Sequence, residues 1–191
     1  MQKYNLVVFD FDGTIIHGDI SRFLVILLCF RNPLFSLKLL KRVMNITTHC
    51  EFNEKIYEEY TSISNTNRIY SLLLSYSRKK LNHEIFASLC EYRIKPFHIV
   101  RIVSGSINPV IKRLSIDLCG VEGTGSFPQS NKFNCLKENK ALFLRTNHAF
   151  RELSFYHFFS DSIGECNEME FFYKITFVKK KDISSELFGG F

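Results

Sequence analysis

Asn5-Leu6-Val7-Val8-Phe9-Asp10-Phe11-Asp12-Gly13-Thr14 is the stretch of this 191-residue chain whose reading fixes the rest. Its first half is apolar without alternation, the pattern of a short strand buried on both faces, as in a parallel sheet. Its second half changes at once to acid, glycine and hydroxyl. The carboxyl end of a buried strand is where open α/β sheets place their sites. Side chains two apart on an extended segment share a face, so Asp10 and Asp12 project together. One carboxylate can attack a phosphorus atom while the other handles protons. Gly13 lets the chain turn away sharply, and Thr14 is placed to hold the second aspartate by a hydrogen bond.

Working outward, residues from about 20 to 92 carry Leu, Ile, Phe and Tyr at helical spacing, as in Phe35-Leu39-Leu40-Val43 and Ile69-Leu72-Leu73-Tyr76. Turn-like pieces separate them, around Asn45–Thr48 and Ser62–Asn67, and the pattern predicts three or four helices with no strand. After Pro96 strands return. His98–Val103 ends in Ser104-Gly105-Ser106, a helical segment covers 108–114, and a weak strand is expected over 116–121 before the glycine-rich 120–125. Residues 137–152 read as helix. Leu153–Phe159 reads as a strand ending in Asp161-Ser162-Ile163-Gly164-Glu165, and Ile175–Val178 as a last strand. Strands alternating with helices indicate βαβ units. The expected fold is α/β: a Rossmann-like parallel sheet core from residues 1–18 and 95–191, with an inserted α-helical cap at 19–94.

Parallel strands all point one way, so their carboxyl ends gather at one edge. Asp161 and Glu165 are hard oxygen ligands suited, with Asp10 and Asp12, to Mg2+, a cation that would neutralise carboxylates clustered around a phosphate. Ser104, with Gly105 beside it, sits at a strand end before a helix, where a hydroxyl and backbone N–H groups bind a phosphoryl oxygen. A lysine would supply the remaining positive charge. An Asp-x-Asp-Gly run also begins calcium loops, but the later ligand positions counted from Asp10 hold Thr14, Ile16 and Ser21, which does not fit.

Hydrophobic residues make up 46% and charged residues 23%, a globular balance that excludes disorder. The net charge of +6 favours an anionic partner, yet it is spread thinly, with one dense run at Lys179-Lys180-Lys181. No basic stripe interleaved with aromatics is present, so nucleic-acid binding is not expected. None of the six cysteines forms a C-x-x-C pair, which argues for free thiols in a reducing, cytoplasmic setting rather than zinc or disulfides. The N-terminus does not read as a signal peptide. Phe23–Phe30 (FLVILLCF) is apolar but far short of the roughly 20 residues a bilayer span needs. Leu34–Val43 (LFSLKLLKRV) is amphipathic and basic. Packing within the cap is one reading of this first cap helix, and peripheral contact with a membrane surface is the other.

Asp10-Phe11-Asp12-Gly13-Thr14 after an apolar strand resembles the first motif, DxDGT, of the haloacid-dehalogenase superfamily. Ser104, closing IVRIVS, is similar to its second motif. Lys140, in Asn134-Cys-Leu-Lys-Glu-Asn-Lys140, resembles the third-motif lysine of the phosphoserine-phosphatase-like branch, with Lys132 and Lys137 as competitors. Phe159-Ser160-Asp161-Ser162-Ile163 is similar to the fourth motif, although Glu165 stands where that branch usually has a second aspartate. The resemblance covers roughly residues 4–180. It implies a Mg2+-dependent phosphomonoester hydrolase acting on a small phosphorylated metabolite through an aspartyl-phosphate, with Asp10 as nucleophile and Asp12 as general acid/base. Thr14, Ser104, Gly105 and Lys140 would bind phosphate, and Asp10, Asp12, Asp161 and Glu165 would surround the metal. Two other readings stay open: a lipid-phosphate phosphatase at a membrane surface, and a catalytically weakened binding or regulatory relative. The sequence does not choose water or an alcohol as acceptor, or an oligomeric state.

Overall fold

The computed structural model describes residues 3–37, 49–127, 138–150 and 152–179. Five parallel strands form one sheet in the order β3-β2-β1-β4-β5. The strands are β1 (Asn5–Phe9), β2 (His98–Ile107), β3 (Gly123–Ser126), β4 (Ser154–Ser160) and β5 (Lys174–Phe177). Between β1 and β2 the described residues include the helices α1 (Ile20–Arg31), α2 (His49–Thr61), α3 (Asn67–Lys79) and α4 (His83–Ile94), with a further helical stretch at 33–37. Then follow α5 (Asn108–Leu114), α6 (Glu138–Thr146) and α7 (Ile163–Glu168). Lys132, Lys137, Lys180, Lys181, residues 38–43 of the basic amphipathic segment and the C-terminal tail lie outside the described residues.

Why β1 is apolar throughout is visible in its two faces. Val7 and Phe9 enter one hydrophobic cluster, with Ile102 and Phe159 of the neighbouring strands. Leu6 and Val8 enter the other, with Val103, Phe158 and the Ala141, Phe143 and Leu144 of α6. A strand with two core faces has no polar side to alternate with. Stacking of Phe9 on Phe159, with ring centroids 4.3 Å apart, fixes the central pair. The first cluster continues without a break into the insert through Ile20, Leu24, Leu28, Ile56, Leu73 and Leu89. The helices of residues 20–94 thus share one core with that face of the sheet.

Two sequence expectations need correction. Strand β2 does not stop at Val103 but runs on through Ser104-Gly105-Ser106 to Ile107, its pairing with β3 interrupted between Val103 and Ile107. The segment around 116–121 is not a strand. Ser115–Cys119 continues α5 as one wide π-type turn, closed by Gly120 at φ 63°, a left-handed helix end. Ile116 faces solvent, so its apolar alternation with Leu118 reported no buried strand face. The strand on that edge is the glycine-rich Gly123–Ser126, where a side chain at Gly125 would overlap the backbone of Ser106 and Asn108.

Among the buried polar groups, His157 on β4 lies between the Tyr92 hydroxyl on Nδ1 and the Thr176 hydroxyl on Nε2, each at 2.8 Å. Burial, helped by Lys174 and Lys95, pushes its pKa down to about 4. The unfolded chain therefore takes up this proton first as pH falls from about 6.5. Between pH 6.5 and 4 this histidine should cost about 2 kcal/mol of stability, with none of that loss above pH 6.5. Urea unfolding of wild type and His157→Gln across this range checks it: the difference between them should shrink or reverse on acidification, and parallel curves would overturn the assignment.

Candidate active site

The sheet register delivers the chemistry to one edge. Phe9 stands opposite Ile102 on one side and Phe159 on the other. Asp10, Ser104 and Ser160-Asp161 therefore come side by side towards the carboxyl end of the sheet, and the Asp10 N–H still donates to the Phe159 carbonyl at 2.9 Å. The central strand with its first chain reversal on either side is the crevice where such sheets bind ligands.

Lys140 is the centre of one cluster. It comes from α6, is fully buried, and its Nζ donates to Asp10 Oδ1 and to Glu165 Oε2, both at 2.8 Å. Ser160 adds a hydroxyl to the same Glu165 oxygen at 2.9 Å. Burial raises the pKa of Asp10 to about 8 against the pull of the Lys140 charge, and Glu165 pushes the same way as burial. The two carboxylates in turn hold the Lys140 ammonium above its ordinary range. Two carboxylates around one ammonium leave an excess negative charge, which a dry site tolerates poorly without a further cation.

Asp12 belongs to a second cluster. Oδ1 accepts from the Ile20 N–H at 2.7 Å, at the start of α1. Oδ2 accepts from the Ser106 hydroxyl at 2.6 Å and the Ser104 hydroxyl at 3.2 Å. Ser21 Oγ lies 2.7 Å from Ser106 Oγ and extends the chain to the insert. Burial dominates these hydrogen bonds and sets the Asp12 pKa at about 6. A carboxyl that titrates near neutrality is placed to give and take protons.

The turn after β1 has its own supports. Gly13 has φ 76° and its Cα faces the Asp161 carboxylate so closely that a methyl group would overlap it. Thr14 Oγ1 accepts from the Asp161 N–H at 3.0 Å, so this threonine holds the end of β4 and not Asp12. The turn is also clasped by the far end of the insert. His17 N–H donates to the Lys80 carbonyl at 2.6 Å, Asn82 N–H to the Ile15 carbonyl at 2.8 Å, and Asn82 Nδ2 to the Thr14 carbonyl at 3.1 Å.

All the residues singled out in the sequence thus lie at one edge, with placements that differ in detail. Ser104 sits inside β2, four residues before α5, so it caps no helix. Gly105 gives its carbonyl to the Ser126 hydroxyl at 2.8 Å. Sequence reasoning missed Ser106, Ser160 and Ser21. Of these Ser106 carried a readable signal, since it stands two residues from Ser104 on extended chain and so shares its face.

The donor set suits Mg2+. That ion takes hard oxygen ligands and needs only one or two protein carboxylates, completed by water and phosphate. Asp10 and the Asp161 carboxylate, separated by the Gly13 turn, meet that requirement. Among the described residues no three His, Cys, Asp or Glu side chains converge on one point. Asp10 and Glu165 each give an oxygen to Lys140, and Asp12 gives its oxygens to the Ile20 N–H and the serines.

Fold and site together define an α/β protein that gathers carboxylates, serine hydroxyls and a buried ammonium at the carboxyl edge of a parallel sheet. The sequence profile of the haloacid dehalogenase-like hydrolases matches residues 7–164, and the chain belongs to that family. Comparison with curated protein sequences gives no match. Among solved structures, a protein of unknown function from Bordetella pertussis Tohama I is 13% identical, with a TM-score of 0.73 over 97% of this chain and 95% of its own. A phosphoserine phosphatase solved as a phospho-aspartyl intermediate analogue is 12% identical, with a TM-score of 0.50 over 97% of this chain and 98% of its own. Both likenesses are of fold.

Proposed function

We propose that the chain is a Mg2+-dependent phosphomonoester hydrolase working through an aspartyl-phosphate on Asp10, with a small phosphorylated metabolite as substrate. The observation that carries the reading is the Lys140 bridge: the fold brings an ammonium across 130 residues of sequence to 2.8 Å from Asp10, two residues from Asp12. An ion pair of that kind orients a carboxylate and offers positive charge to a transferring phosphoryl group. The phosphoserine phosphatase analogue of similar fold supports an aspartate as the group that receives phosphate.

In this mechanism an Asp10 oxygen attacks phosphorus, the bond to the substrate oxygen breaks, and Asp12 gives that oxygen its proton. Asp12, now ionised, then takes a proton from the water that cleaves the aspartyl-phosphate and releases inorganic phosphate. Ser104 and Ser106 hold Asp12 in place throughout. Lys140 offsets the charge of Asp10 and of the bound phosphoryl oxygens, and Glu165 holds the lysine. Asp10 and Asp161 would hold Mg2+, which when bound would neutralise charge on the phosphate oxygens.

Hydrolysis of p-nitrophenyl phosphate tests the reading. Turnover should appear with Mg2+, fall at least about 100-fold in EDTA and return with excess Mg2+. Turnover indifferent to EDTA would overturn the metal. No turnover of this probe or of a panel of phosphorylated metabolites would favour the catalytically weakened relative.

A further inference from the structure

The first helix of the insert has a face that the catalytic reading leaves unused. α1 packs inward through Ile20, Leu24 and Leu28. Its outer face carries Arg22, Ile26 and Phe30 at four-residue spacing, and the helical residues 33–37 that follow add Leu34 and Leu37. Exposure of these side chains is high: Phe30 85%, Leu34 69%, Leu37 59% and Ile26 49%. A row of large apolar side chains in water marks an interaction surface.

Charge identifies the occupant. From residue 20 to residue 50 the chain has Arg22, Arg31, Lys38, Lys41 and Arg42 and not one Asp or Glu. Arg22 pairs with Asp19 just before this segment, and Arg31 is exposed beside Phe30. A second copy of so basic a surface would be repelled, and an acidic protein groove would leave an apolar row of this length partly wet. Exposed apolar side chains on a stretch of sequence whose charged residues are all basic match the headgroup region of an anionic bilayer, where the hydrocarbon enters and Lys and Arg meet lipid phosphates. No described helix is long and apolar enough to cross a membrane, so contact would be in the interface plane.

We propose that the outer face of α1 and the turn after it dock this protein on the surface of an anionic lipid membrane. The proposal is independent of the phosphatase reading, and its test involves no turnover. The full chain should float with vesicles of mixed phosphatidylcholine and phosphatidylglycerol, stay behind with phosphatidylcholine alone, and be released by high salt. Phe30→Glu, at a position exposed enough to leave the core untouched, should weaken vesicle binding at least about tenfold with an unchanged melting curve. The chain contains no tryptophan, so Phe30→Trp gives a clean signal whose emission should shift to the blue on anionic vesicles. Absence of flotation, equal flotation of Phe30→Glu, or an unshifted Phe30→Trp emission in floated protein would each overturn the proposal. So would a dimer in sedimentation velocity that Phe30→Glu dissolves without lipid, which would assign the face to a second copy.

Discussion

Asp10→Asn should lose turnover by roughly 10⁴-fold or more while the protein unfolds at the same or a higher denaturant concentration. The catalytic half follows from the proposed chemistry, because an amide oxygen is a poor nucleophile towards phosphorus and forms no stable acylphosphate. The stability half follows from the site's charge. Lys140 meets two carboxylates, Asp10 and Glu165, each at 2.8 Å. Burial opposes ionisation of Asp10 strongly enough to raise its pKa to about 8. An amide of the same shape needs no proton on folding and leaves a one-to-one Lys140–Glu165 pair, still supported by the Ser160 hydroxyl. A residue kept at a cost to folding is what a working site shows. The paired measurement is turnover of p-nitrophenyl phosphate with urea unfolding. Turnover within tenfold of wild type would place the nucleophile elsewhere. A sharp fall in stability would mean that Asp10 is a structural partner of the lysine.

Lys140→Met should fail on both counts, with turnover down at least about 10³-fold and stability down by about 3 kcal/mol at pH 7. The ammonium is fully buried, so its loss leaves Asp10 facing Glu165 with no counter-charge. The pH dependence has a definite sign. Asp10 already has a raised pKa, and without the lysine only raising influences remain among its neighbours. Its neutral form is then the stable one to a higher pH than in the wild type, so the variant's deficit should grow as pH rises through about 8 and stay level below it. Adding Glu165→Gln should recover part of the stability and none of the turnover. Urea titrations at pH 7, 8 and 9 on wild type and the two variants measure this, and a deficit unchanged through pH 9 would mean that packing, not charge, is what Lys140 contributes.

The sequence was most informative where one residue pattern admits one physical reading. Asn5–Phe9 could be placed as a doubly buried strand because no polar residue interrupts it, and its two faces do enter separate clusters. The helices of residues 20–94 were visible in their spacing. Strand β3 was not, since Gly123–Ser126 has two glycines and a single β-branched residue, Thr124, and owes its place to close approach against Ser106 and Asn108. In the site, Asp10 and Asp12 declared themselves by spacing on one strand. Lys140 did not, because nothing in a lone lysine says that it will travel to an aspartate 130 residues away, and it was found through resemblance alone. Ser160 stood inside the stretch resembling the fourth motif and Ser106 two residues from Ser104, yet neither had a part of its own until a carboxylate was seen to lean on it.

The clasp between the first turn and the far end of the insert bears on how the molecule comes to be assembled. Asn82 reaches the Thr14 carbonyl across 68 residues, so this contact waits for a long loop to close. The loop carrying Gly13 and Thr14 is therefore anchored by a contact that spans α1–α3, and non-local closure of this kind slows folding. The insert is a scaffold for the motif as well as a covering for it. A shortened chain in which β1 ran straight on to β2 would keep its sheet residues and lose the anchor of the turn that the carboxylates depend on.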